Sequence, residues 1–255
     1  MDYKICIPSY NRPKIINDKS LAFLKRMGVS FKDIDVIVET DEMKEDYQSN
    51  NNEINIIVSN TNGIKEKRNF VRRYYQEQTD VNNLVCIDDD MDDIIDWDKS
   101  ITAEKFNEII NQGFKICHEK NLYVWGVSPF HNTFFMRENV STNLKYICGA
   151  FFGLIIDRSK EVMETTFNHY EDFCFTCQHF KRDGGVLRFN GIALKTKYFN
   201  PKGGITGWYG GKSARAEAQE KDAVKFIELY PGMATIIQKK YGTDIRLNFR
   251  YKNHQ

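Results

Sequence analysis

Between Asn83 and Asp93 the chain reads Asn-Leu-Val-Cys-Ile-Asp-Asp-Asp-Met-Asp-Asp, and no other stretch constrains the fold as strongly. Leu84, Val85, Cys86 and Ile87 make a short apolar run of the kind that forms a buried strand. The run passes straight into Asp88, Asp89 and Asp90. Like charges packed this closely repel, and a strand end that keeps them usually needs a cation, so a divalent metal is the first expectation. Side chains alternate along an extended segment, which puts Asp88 and Asp90 on one side and Asp89 on the other. The competing reading is a solvated acidic turn. A calcium-binding EF-hand loop is excluded, because Asp93 stands where that loop requires glycine and Lys99 where it requires the closing glutamate.

The segments on either side indicate what surrounds this strand. Residues 3–8 read as an opening strand ended by Pro8, followed by the turn Ser9-Tyr10-Asn11-Arg12-Pro13. Residues 15–27 carry helical periodicity closed by Gly28, and 34–39 form a second strand. A helix or turn around Met43 to Tyr47 precedes a third strand at 54–58. The turn Asn60-Thr61-Asn62-Gly63 then opens a helix over 64–78 that carries Lys65, Lys67, Arg68, Arg72 and Arg73. This alternation predicts an α/β three-layer sandwich with a mixed, mainly parallel central sheet. Ligands of such sheets gather beyond the carboxyl ends of the strands, where residues 8–12, 39–41, 60–63 and 88–90 converge.

Downstream, a helix is expected over 102–120 with Thr102 as its cap, and a strand over 123–128. Residues 130–140 read as a mobile or hairpin segment, and 145–157 as a strand run split by Gly149 and Gly153. Helices are expected over 161–168 and from His169-Tyr170-Glu171-Asp172 onward. Gly184-Gly185 turns the chain into a strand at 186–193, and a last helix runs over 213–229.

With 255 residues and neither repeat nor linker, the chain reads as one domain spanning 1–255. Hydrophobic content of 41% excludes wholesale disorder, and no apolar stretch approaches the roughly 20 residues of a membrane span. The net charge of +1 conceals an asymmetry: from Lys181 onward 15 Lys/Arg face 6 Asp/Glu, while the first 180 residues are acidic on balance. Acid sits where a metal would go, and base where a polyanion would lie. The six cysteines fall mostly within apolar runs, and Cys174 and Cys177 lack the second pair that a zinc site needs. No leader precedes the first strand, so the expected location is cytoplasmic or nuclear, including the cytoplasm of a phage-infected host, and neither secreted nor membrane-bound.

Taken together, Ile-Pro-Ser-Tyr-Asn-Arg-Pro, the Glu-Thr-Asp after the second strand, the Gly followed by Lys/Arg-Asn, the Ile-Asp-Asp-Asp strand end and the later Glu-Asp resemble a GT-A glycosyltransferase. The nearest likeness is to the DNA-modifying group: the kinetoplastid base J glucosyltransferase, phage enzymes acting on 5-hydroxymethylpyrimidines, and the TET-associated glycosyltransferases. It spans roughly Lys4 to Asp172. The resemblance implies that residues 1–100 bind a UDP-sugar and residues 101–255 the acceptor. It implies uridine contacts from Pro8, Ser9, Tyr10, Arg12, Glu39 and Asp41, and contacts to the nucleotide or its diphosphate from Gly63, Lys67, Arg68 and Asn69. Asp88 and Asp90 match the D-x-D metal pair, with Asp88 and Asp89 also beside the donor. Three consecutive aspartates leave that frame open by one residue. Asp172 matches the carboxylate that activates the acceptor, with Glu171 as its neighbour and understudy.

The chemistry of these residue types is consistent with that reading. A departing nucleoside diphosphate carries two negative phosphates, and Mn²⁺ or Mg²⁺ held by oxygen ligands stabilises them. Lys67 and Arg68 add positive charge near a helix start. An acceptor hydroxyl needs a base, and a carboxylate in reach contributes about 10²- to 10⁴-fold. Asp172 in that role implies a single displacement with inversion; a plain helix-capping role is the alternative. His169 and His179 are weaker candidates. Trp125, Phe130, Phe151, Phe152, Trp208 and Tyr209 could stack on a base or sugar, although most such aromatics fill cores. Trp208 lies in a glycine-rich run, residues 203–211, that resembles a lid over the donor, with Lys202, Lys212 and Arg215 beside it to meet phosphates. The acceptor is expected to be a 5-hydroxymethylpyrimidine in DNA. A protein or glycan acceptor, and a non-catalytic sugar-nucleotide binding module, are the alternatives.

Overall fold

The computed structural model describes residues 2–195, 212–239 and 242–252. Four strands, β1 (Lys4–Pro8), β2 (Ile34–Val38), β3 (Asn55–Val58) and β4 (Asn83–Ile87), run parallel in the order β3-β2-β1-β4. Helical segments connect them. The first comprises α1 (Pro13–Ile16) and α2 (Ala22–Arg26), joined through a π-turn at Asn17–Leu21 and ended at Gly28, whose φ of 76° suits glycine. The second is α3 (Asp41–Asn50), where Thr40 accepts a hydrogen bond from the Met43 N–H. The third is α4 (Ile64–Glu77), entered through Gly63 at φ 85°.

Beyond β4 the sheet becomes mixed. β9 (Phe151–Ile155) pairs antiparallel with both β4 and β7 (Val124–Ser128), and β10 (Leu187–Lys195) runs parallel to β7. β5 (Asp93–Asp96), β6 (Lys99–Ser100) and β8 (Val140–Ser141) complete a ten-stranded sheet among the described residues. α5 (Ala103–Lys120), α6 (Glu171–Asp183), α7 (Lys212–Leu229) and a hairpin of β11 (Ala234–Lys239) and β12 (Gly242–Leu247) complete the described elements.

Alternation along β1 and β4 divides the apolar residues into two layers. Ile5, Ile7, Val85 and Ile87 pack with Phe23, Phe106 and Phe114 on one side of the sheet. Cys6, Leu84 and Cys86 pack with Val71, Tyr75, Phe175 and Phe226 on the other. The result is the three-layer sandwich that the element order predicts. Burying each large apolar side chain contributes about 1.5–3 kcal/mol, so a strand covered on both faces is held firmly in the sheet.

Two expectations fail for identifiable reasons, and two hairpins are not expected. Residues 161–168 are not helical, because side chains of α4 already engage their backbone: Asn69 bonds both the N–H and C=O of Thr165 at 3.0 and 2.9 Å, and Arg72 donates to the Met163 carbonyl at 3.2 Å. Gly153 does not split β9 but lies within it, since a Cβ there would come within 2.0 Å of the Trp125 indole nitrogen. The hairpins β5–β6 and β11–β12 are not expected from the sequence: β6 has only two residues, and β11 is largely exposed, so neither gives a clear periodic signal. Among the described residues no helix is long and apolar enough to cross a membrane.

Candidate active site

At the carboxyl end of β1, the Ser9 hydroxyl donates to Asp89 Oδ2 at 2.5 Å and lies 2.6 Å from the Tyr47 hydroxyl, which in turn accepts from the Arg12 N–H at 2.9 Å. The Arg12 guanidinium reaches Asp89 at 3.1 Å and Asp90 at 3.4 Å. Asp89, only 6% exposed, is therefore the anchoring carboxylate of the run. The strict alternation expected for three aspartates does not hold, because β4 ends at Ile87 and the chain turns at Asp89 and Asp90. Asp89 and Asp90 thus share Arg12, while Asp88 faces Arg68 at 3.0 Å. The π-turn pins this bend from below: Ser20 donates to the Asp88 carbonyl at 2.6 Å and accepts from the Met91 N–H at 3.0 Å.

Burial, with Asp90 and Asp89 adding to it against the opposing Arg68, pushes the Asp88 carboxyl up to about 6. Asp90 is raised for the same first reason, with Asp89 next. Their side chains nevertheless keep 32% and 23% of their surface exposed. Two accessible carboxylates whose charge is disfavoured by their surroundings suit a hard divalent cation, which would relieve that cost. Among the described residues no group of three His, Cys, Asp or Glu is arranged to hold a metal alone. An ion on Asp88 and Asp90 would complete its shell from phosphate oxygens and water, the habit of Mg²⁺ and similar ions.

Arg68 joins this acidic turn to the start of α6. One guanidinium nitrogen donates to Asp88 and another to Glu171 Oε1. Burial opposes the charge of Arg68, but Glu171, Asp88 and Asp172 outweigh it and hold the group above its ordinary value. Its close approach requires Gly149, where a Cβ would stand 2.2 Å from the guanidinium. Burial, resisted by Arg68 and reinforced by Asp172, pushes Glu171 up to about 7, and Glu171 Oε2 is buried with no hydrogen-bond partner among the described residues. Asp172 Oδ2 accepts from the Tyr146 hydroxyl, and Asp172 Oδ1 accepts from the Phe173 N–H at 2.9 Å. Burial, then Asp172, raises the Tyr146 phenol far above its ordinary value, so it stays a proton donor to that carboxylate.

The remaining expected residues divide into two groups. Glu39 accepts from the Gly63 N–H at 3.0 Å and pairs with Lys67 at 3.3 Å; the Lys67 ammonium also donates to the Ser9 carbonyl at 2.7 Å. Lys67 is 2% exposed and lowered by burial, so it braces the β1 turn from inside. Tyr10, 48% exposed, lies over that ammonium, and Asp41 is exposed in the first turn of α3. Pro8 closes β1 beneath them. Asn69 stands apart, its amide spent on Thr165. His179 is buried on Asp183 at 2.9 Å, and His169 faces Asp222 at 3.3 Å. Trp125, Phe151 and Phe152 are core residues, whereas Phe130 is exposed. All six cysteines are buried, and none forms a disulfide among the described residues. Trp208, Tyr209, Lys202 and the glycine-rich run lie outside the described residues, as do the side chains of Lys212 and Arg215. Tyr47, Tyr146 and Ser20 carried no sequence signal, since each acts through a partner distant in the chain; Gly149 did, as a glycine within an apolar run.

The parallel β3-β2-β1-β4 half, the antiparallel β9 and the acidic turn at the sheet edge define a class: this is the GT-A glycosyltransferase fold. In particular, the chain is similar to Staphylococcus aureus TarS, residues 1–349, in complex with UDP-GlcNAc, with a TM-score of 0.54 and 17% identity over 89% of this chain and 67% of that one. It is also similar to glucosyl-3-phosphoglycerate synthase from Mycobacterium tuberculosis in complex with Mn²⁺, UDP-glucose and phosphoglyceric acid, with a TM-score of 0.52 and 10% identity over 98% and 88% of the two chains. Against a longer TarS chain the coverage of that chain falls to 40%. The present chain thus spans about two thirds or less of the TarS chains it matches. At these identities the likeness is one of fold. No protein-family model matches the sequence, and no curated protein does.

Proposed function

We propose that this protein is a metal-dependent inverting glycosyltransferase that moves a sugar from a UDP-sugar to a hydroxyl group, the acceptor being a 5-hydroxymethylpyrimidine base in DNA. The observation that carries the reading is the Arg68 bridge, which brings the acidic turn after β4 and the Glu171-Asp172 pair of α6 into one cluster. A donor-side cation site and an acceptor-side base must be neighbours for a single displacement, and this connection supplies that proximity. The fold shared with proteins crystallised with UDP-GlcNAc and UDP-glucose supports the donor class.

In this reading residues 1–100 hold the donor and residues 101–255 the acceptor. Asp88 and Asp90 would hold Mn²⁺ or Mg²⁺, and the chemistry such an ion would supply there is positive charge to offset that of the leaving diphosphate. Ser9, Tyr47 and Arg12 fix Asp89 and with it the shape of the turn. Tyr10, Glu39, Gly63 and the exposed Asp41 line the approach of the uridine. Asp172, oriented by Tyr146, takes the proton of the acceptor hydroxyl. Glu171 keeps Arg68 extended across the cluster. Excess positive charge after Lys181 favours a polyanionic acceptor.

The test is incubation with a panel of UDP-sugars and Mn²⁺, following UDP release, with hydroxymethylated, plain and single-stranded DNA as acceptors and mass spectrometry of the nucleosides. Wild type should release UDP, while Asp90→Ala and Asp172→Asn should lose about 10²-fold or more. No UDP release with any donor would overturn the enzymatic reading. Release with no sugar on any DNA would remove the DNA acceptor alone.

A further inference from the structure

Two cations on the proposed acceptor side have no counter-charge among the described residues. Among the described residues the Arg188 side chain, on β10, makes one hydrogen bond, from Nε to Asn190 Oδ1 at 2.9 Å, and no ion pair. Burial alone lowers it to about 10. Lys145 likewise has no ion pair among the described residues; burial lowers it, and Arg188 lowers it further. The Lys145 ammonium instead stands 4.1 Å above the ring of Phe249, which is 41% exposed. The Phe249 carbonyl is held by the Asn143 side chain at 2.8 Å, and Arg250 and Lys252 follow in the sequence. A protein that half-buries two repelling cations without a carboxylate leaves a site whose natural complement is an anion.

The position of the pair ties it to the proposed base. Arg188 is opposite Gly126 in β7, and Ile147 lies against Gly126, where a Cβ would meet its side chain at 2.9 Å. The Ile147 N–H donates to the Thr176 hydroxyl at 3.1 Å, and that hydroxyl donates to the Asp172 carbonyl at 2.8 Å. From the other direction, Lys145 directly precedes Tyr146, whose hydroxyl donates to the Asp172 carboxylate. Lys145 thus adjoins Tyr146 in the chain, and Arg188 is connected through Gly126 and Ile147 to Thr176, the two groups that position Asp172.

We propose that Lys145 and Arg188 form a phosphate-binding subsite for the acceptor, so that the molecule glycosylated here carries a phosphate close to its reacting hydroxyl. This rests on Asp172 marking the acceptor side. A planar guanidinium can take two phosphate oxygens and the ammonium a third. The same chemistry would receive a phosphodiester of a nucleic acid or a phosphomonoester of a small hydroxyl compound.

Binding of the full chain would be measured at low salt with fluorescein-labelled oligo-dT as the phosphodiester, glycerol 3-phosphate as the monoester, and glycerol as the neutral comparison. Lys145→Gln and Arg188→Gln should each weaken phosphate binding roughly tenfold and make the salt dependence of oligo-dT binding shallower by about one unit of slope. Lys145→Arg and Arg188→Lys should keep most of the affinity, which excludes loss through misfolding. Lys115→Gln, an exposed change on α5 in the opposite layer, should bind as wild type does. Preference for oligo-dT identifies a polymeric source, and preference for glycerol 3-phosphate a small one. If both phosphates bind no better than glycerol, or if the Gln variants bind them undiminished, the subsite is refuted. UDP release is scored separately, so a protein that binds phosphate here yet turns over no donor would defeat the glycosyltransferase reading and leave the subsite standing.

Discussion

Gly149 shows how much one missing side chain can control. Its backbone lies where the Arg68 guanidinium must pass to reach both Asp88 and Glu171, and a methyl group there would overlap it at 2.2 Å. Gly149→Ala is expected to displace Arg68 and reduce UDP-sugar turnover at least about tenfold, with circular dichroism still showing a folded protein. His179 gives a residue-level prediction about stability. Burial pushes its imidazole down to about 4, despite the hydrogen bond to Asp183, so it folds neutral while the unfolded chain protonates near its ordinary value of 6.5. A depressed folded value means that the stability is present above 6.5 and is lost as pH falls through 4. The loss across that window should reach about 3 kcal/mol, and Asp183, also held low, adds to it below the window. Denaturant melts of wild type and His179→Gln between pH 7 and 4 test this: the variant should lose stability less steeply with falling pH.

At the scale of elements, β9 and the segment before α6 show packing overriding local preference. Gly153 makes β9 intrinsically weaker, yet it leaves room for the Trp125 indole, which a Cβ at Gly153 or Gly113 would overlap at 2.0 or 2.5 Å. Gly153→Ala should therefore overpack this core and cost about 1–3 kcal/mol in urea unfolding, although alanine is the better strand residue in isolation. Residues 161–168 carry a helical pattern and do not form a helix, because α4 reaches over and bonds their backbone through Asn69 and Arg72. Periodicity records which face is apolar; it cannot record that a neighbouring helix supplies the hydrogen bonds. Asn69 was read as a nucleotide-side residue by its position in a motif, and its amide is instead occupied by Thr165.

At the scale of the whole molecule, one sheet edge collects the ends of β1, β2, β3 and β4, and binding there should stabilise the entire fold. Adding UDP and Mn²⁺ at about a hundredfold over Kd should raise stability by about 2.7 kcal/mol, read as a higher Tm; EDTA or Asp90→Ala should abolish the metal-dependent part. The order of strands and helices up to β4, the apolar runs of those strands and the carboxylates at the end of β4 were legible in the sequence, because alternation and short apolar runs are local properties that each segment carries by itself. The partners of those carboxylates were not. That Asp89 anchors on Ser9 and Arg12, that Asp88 meets Glu171 through Arg68, and that Tyr146 holds Asp172 are contacts between residues 20 to 103 positions apart. Only the folded sheet brings such groups within hydrogen-bond distance, because its register and the close approach permitted by Gly149 are set by the packing of every layer at once.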